Sequence, residues 1–204
     1  MSSLSIQAQA PQTGTAPTRS VARTAALAGL AVGTASSIAF ALITMLTTQT
    51  DVTARDLNFH HAGDYWYTGI GIPTGISTIV LLFAMRALQP TARPRLIRVG
   101  TLLNAAALAL LVVMLGYSVA TGAEARWGGA YVVATLATFV AHILFCAGSW
   151  RAGLIPRPLL AVWPVVWLIG AFAAQGASPL LLAAFCAGLG ILIARRGDGD
   201  RRRN

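Results

Sequence analysis

The chain has 204 residues, enough for one ordinary domain, but only 10% of them are charged where a soluble domain carries about 25%. With 56% hydrophobic residues and a mean hydropathy of +0.68, that composition excludes a water-soluble globule. All 15 basic residues are arginine, which rules out Schiff-base chemistry through lysine and the phosphate-binding lysine of a P-loop, and suggests a GC-rich bacterial source.

Residues 1–20 are rich in Ser, Thr, Gln, Ala and Pro and should form a disordered cytoplasmic tail, because they offer too little apolar surface to offset the entropy of ordering. The apolar run after Arg23 is about 24 residues, longer than the 7–15 of a signal-peptide core, and therefore reads as a span that is kept. Further apolar blocks follow, giving six expected spans at 24–47, 68–88, 99–120, 130–147, 159–174 and 179–194. The fold class is thus an all-α, polytopic integral membrane bundle of six transmembrane helices, the domain covering 21–195. The fifth span, at about 24 Å, is short for a hydrocarbon core of about 30 Å.

Alternate loops divide the arginines 13 to 2, with only Arg55 and Arg126 on the minor side. The positive-inside rule then places both termini in the cytoplasm of a bacterial inner membrane. The net charge of +9 is accordingly a topology signal and calls for no nucleic-acid partner. In the basic tail, 196–204, the arginines are positioned to meet anionic lipid headgroups.

Small residues recur at Gly29, Gly33 and Ser37, at Gly71 and Gly75, and at Cys186 and Gly190, each set on one helix face where a neighbouring backbone can approach. The partner is another helix of the chain, a second copy in a homo-oligomer, or another membrane protein; the first is favoured. Pro73 and Pro164 should kink the second and fifth spans, a faint pointer to inverted repeats. Tyr65, Trp66, Tyr67, Tyr117, Trp127 and Tyr131 fall where an aromatic belt meets the outer headgroups, and Trp163 and Trp167 are expected to pack against lipid or other helices.

His142 is the one imidazole deep in a span, about 16 Å from its outer end. Thr135, Thr138, His142, Cys146 and Ser149 share its helix face, so this stripe should point into the bundle. With Asn104 on the third span, His142, Thr138 and Cys146 are the candidate ligand-binding residues. A single imidazole in the spans leaves a bis-histidine haem without its second ligand, and no cofactor is assigned. The two cysteines lack a Cys-x-x-Cys spacing and read as small buried hydrophobes.

In the outer loop between the first two spans, His60, His61 and Asp64, together with Asp56, are the candidate metal or acid–base set, although no hydrolase or zinc signature surrounds them. Three functional expectations follow, in this order: a non-enzymatic packing, sensing or accessory subunit; a small transporter or ligand-binding protein with its cavity around His142; and an enzyme acting at the outer loop.

Overall fold

The computed structural model describes residues 16–47, 57–89, 94–125, 129–172 and 176–201. Helix α1 is Ala16–Leu46, α2 is Ala62–Gly69, α3 is Gly71–Ala87, α4 is Pro94–Thr121, α5 is Ala130–Ser149, α6 is Arg157–Trp167 and α7 is Pro179–Arg201. A π-helical segment, Leu168–Phe172, continues α6. Prolines open α4 and α7 and stand in the first turn of α6, where a missing N–H is harmless and the fixed φ is already helical.

Five helical rods are long and apolar enough to cross a membrane: Arg19–Leu46, Ala62–Ala87, Arg95–Thr121, Ala130–Ser149 and Pro179–Arg196. The sixth, Arg157–Phe172, is shorter, and contacts of Gly153 before it and Gly176 beyond it tie the two sides of the segment to opposite ends of the bundle. At its start the Arg196 guanidinium donates to the Gly153 carbonyl at 2.5 Å; beyond its end Thr44 Oγ donates to the Gly176 carbonyl at 2.8 Å. The second rod begins at 62 rather than 68 and is interrupted at Ile70, directly after the residue whose carbonyl the Pro73 ring would strike. Residues 16–20, expected in the disordered tail, extend α1, since adding a residue to an existing helix needs no new nucleation. Residues 1–15 lie outside the described set.

Neighbouring rods pack in the order α1, α3, α4, α5, α6, α7, and α7 returns to α1, which closes a ring. Arg23 on α1 seals the join by donating to the Ala194 carbonyl of α7 at 2.6 Å. Up-and-down connection therefore gathers Arg19, Arg23, Arg86, Arg95, Arg98, Arg151, Arg157, Arg195 and Arg196 at a single end of the bundle. The outer faces are apolar and bare: Val32, Leu42, Val113, Val133 and Leu136 are all exposed. Water would penalise that surface, whereas lipid tails accept it.

Small residues set the helix spacing. A Cβ on Gly29 would lie 3.1 Å from the Ser77 carbonyl oxygen and one on Gly33 3.5 Å from Cys186 Sγ, so this face packs on α3 and α7 within the chain. The tightest approach to a neighbouring backbone joins α4 to α5, where a Cβ on Gly100 would lie 2.7 Å from the Phe145 backbone nitrogen; on the same contact one on Gly148 would lie 2.6 Å from Ile97 Cγ1. Near the arginine end Leu30, Leu82, Met85, Ile97, Phe145 and Leu160 are almost fully buried and fill the interior.

Candidate functional site

The α5 stripe faces the bundle interior: Thr138 and His142 are fully buried, Cys146 and Ser149 nearly so, and Thr135 is half-buried. His142 Nδ1 lies 2.9 Å from the Thr138 carbonyl oxygen and 2.9 Å from Asn104 Nδ2 of α4, which is also fully buried. A carbonyl can only accept and an amide NH2 can only donate, so Nδ1 serves one or the other according to its tautomer. Protonated Nδ1 donates to Thr138; bare Nδ1 accepts from Asn104. In both tautomers Nε2 is buried with no partner among the described residues, as are Asn104 Oδ1 and Trp167 Nε1.

Trp167 lies against this pair, its ring 4.6 Å from the His142 ring at an interplanar angle of 28°. Three unpaired polar atoms thus belong to three residues, one each on α4, α5 and α6, that are hydrogen-bonded or stacked on one another. Each buried group left unpaired costs about 1–3 kcal/mol, which makes this polar knot an expensive feature for a bundle that needed only packing.

Trp167 also bounds a partly enclosed cavity of about 360 Å³ in the half of the bundle away from the arginines. Phe40 of α1, Tyr67 and Thr68 of α2, Gly71, Thr74, Gly75 and Thr78 of α3, and the α4 face from Leu108 to Ser118 form its walls. Glu124 and Ala125 after α4, Tyr131 of α5 and Trp167, Ala171 and Phe172 of α6 and its π segment complete them. The rings support one another edge to face, with centroids 5.1 Å apart for Phe40 and Tyr67 and 5.9 Å apart for Tyr131 and Phe172.

Local sequence explains this opening. The interruption at Ile70 lets α2 turn Tyr67 over the cavity. The π segment widens the helix after Pro164, presenting Trp167, Ala171 and Phe172 together, while Gly170 allows Leu182 of α7 to pack where a Cβ would stand 2.6 Å from its own. A two-part cap covers the far end. The Phe59 N–H donates to the Gly122 carbonyl at 2.7 Å, the Glu124 N–H to Leu57 at 2.8 Å, and the Ala125 N–H to Ser118 Oγ at 2.9 Å. Gly122 takes φ +64° under the Tyr65 hydroxyl, a place closed to any side chain.

Of the candidates expected from sequence, His142, Asn104 and Thr138 come together, and Cys146 is buried one turn further along α5. None of the four lines the cavity; Trp167 stands between it and His142. Ahead of α2, His60 and His61 are exposed, while Asp64 in its first turn is 5% exposed and its Oδ2 accepts from the backbone N–H of His60 at 3.0 Å and of His61 at 2.8 Å. That carboxylate caps the start of α2, and its charge suits the positive end of the helix dipole. Among the described residues no three His, Cys, Asp or Glu side chains are grouped to hold a metal ion; Asp51 and Asp56 lie outside that set.

Trp163 and Trp167 depart from the lipid-facing option: both are buried, 6.1 and 4.6 Å from the His142 ring. Tyr67 and Tyr131, read from sequence as membrane-surface anchors, line the cavity, as does Glu124. The usable signal was the four-residue spacing of the two tryptophans, which puts them on one helix face. No family model, no curated protein and no solved structure matches this chain.

Proposed function

We propose that this multi-pass membrane protein binds a small, largely apolar molecule in the aromatic cavity, and serves as a sensing or carrier component of a bacterial inner membrane. The cavity carries this reading: its size, its aromatic walls and its few hydroxyl and carboxylate groups are those of small-molecule sites. The unpaired atoms behind Trp167 add support, since packing alone gives no reason to bury them. A catalytic or metal role for the outer loop has less behind it, because the Asp64 carboxylate is occupied by backbone N–H groups.

Orientation follows from charge. With the arginine end in the cytoplasm, the cavity faces the extracytoplasmic side, and the dense packing around Leu30, Met85 and Phe145 closes the cytoplasmic half. A reporter enzyme fused after Asn204 should be active in the cytoplasm; periplasmic activity would reverse the map and the direction of ligand entry.

The binding test is native mass spectrometry of the full chain released from lipid nanodiscs, after exposure to a panel of small aromatic solutes. Retained solute is expected for the parent protein and should be lost in Ala171→Phe, whose ring would occupy the cavity while leaving the helix contacts in place. A parent protein that retains no more solute than Ala171→Phe refutes the proposal.

A further inference from the structure

We infer that the cavity is selective for organic cations, with Glu124 at its rim supplying the charge and the surrounding rings the rest of the recognition. This inference rests on the cavity reading above and names its ligand class. Three observations carry it. Glu124 is the single ionisable carboxylate among the lining residues, and no arginine or histidine lines the cavity, so its charge is unbalanced by any other lining residue. The Glu124 backbone is fixed at the rim by the bond from its N–H to the Leu57 carbonyl, and its side chain is exposed there, with no ion pair to a described residue. Arg126, two residues on, lies outside them.

Five aromatic rings, Phe40, Tyr67, Tyr131, Trp167 and Phe172, bound the same space. Aromatic faces attract a cation through the ring quadrupole and do nothing comparable for an anion, and the attraction grows as water is excluded. A carboxylate beside several rings therefore discriminates by charge sign where rings alone would discriminate only by shape. The hydroxyls of Thr74 and Thr78 are bonded to the helix carbonyls of Ile70 and Thr74, at 2.9 and 2.8 Å; the other lining hydroxyls, on Thr68, Ser118, Tyr67 and Tyr131, are neutral, so no lining group carries the positive charge an anion would call for. A quaternary ammonium suits this lining best, because it offers diffuse charge, needs no hydrogen-bond acceptor and loses little hydration on entry.

The test compares two probes of nearly the same shape: benzyltrimethylammonium and its neutral isostere, neopentylbenzene. Equilibrium dialysis uses the full chain in nanodiscs at low salt, with empty nanodiscs subtracting partition into lipid and Ala171→Phe subtracting binding outside the cavity. Glu124→Gln should weaken the cation about fivefold to tenfold and leave the neutral probe unchanged, as expected for the loss of one partly screened charge near a desolvated ring site. Cation affinity unaltered by Glu124→Gln, or binding of the neutral probe alone, overturns the cation assignment and leaves the cavity reading standing. If neither probe binds above the Ala171→Phe level, the cavity reading fails and the cation assignment fails with it.

Discussion

Gly100→Val should leave almost no folded protein. A Cβ at that position would lie 2.7 Å from the Phe145 nitrogen, 2.8 Å from the Ala141 oxygen and 3.1 Å from the Phe145 Cα. All three are backbone atoms of α5, so no side-chain rotation relieves the clash and the two helices must separate. Overpacking in cores costs about 1–3 kcal/mol when side chains can adjust, and more when backbone must move. The separation would act on the most extensive helix pair of the bundle and draw Asn104 away from His142. Size-exclusion profiles and thermal unfolding in detergent provide the measurement. Gly188→Val is the control, since a Cβ there meets nothing within 4 Å, and it should behave like the parent. Equal stability of the two variants would disprove the claimed α4–α5 contact.

Trp163→Ala should be the most damaging truncation. Its indole is 2% exposed and touches three rings, with centroid distances of 5.7 Å to Phe145, 6.1 Å to His142 and 5.5 Å to Phe185. Removing a buried tryptophan costs about 3–5 kcal/mol, part of it from the void left behind. The void would open in the plug between the cavity and the arginine end, so lost stability should come with a leak. The measurement pairs unfolding by SDS titration with uptake of a small uncharged dye into liposomes carrying the variant. Unfolding at the parent's SDS fraction would refute the central packing role.

The six-rod architecture was legible because lipid imposes its terms residue by residue: every stretch crossing the apolar layer must be apolar and helical. The interior face of α5 was legible for a related reason, since Thr138, His142, Cys146 and Ser149 repeat at helical spacing against an apolar background. The cavity was not. Tyr67 and Tyr131 suit a headgroup layer and a binding wall equally well, and which one they form depends on the break at Ile70 and on distances between helices far apart in sequence. Trp163 and Trp167 sit on a helix apolar on all sides, where periodicity cannot separate the lipid face from the inner one. Asp64 could be read as a ligand because the donors that occupy its carboxylate, the N–H groups of His60 and His61, belong to the backbone and leave no mark in side-chain patterns.

Closure of the ring by α1 and α7 also bears on how the bundle assembles. The partner that completes α1 lies far along the chain, across a sequence separation of 171 residues at the Arg23–Ala194 bond. Before α7 docks, α1 and α3 through α6 form an open arc, and the α1 face around Gly33 has Ser77 of α3 beside it but not yet Cys186 of α7. The ring therefore closes along a single long-range seam, where a small-residue groove stays unzipped until α7 fills it.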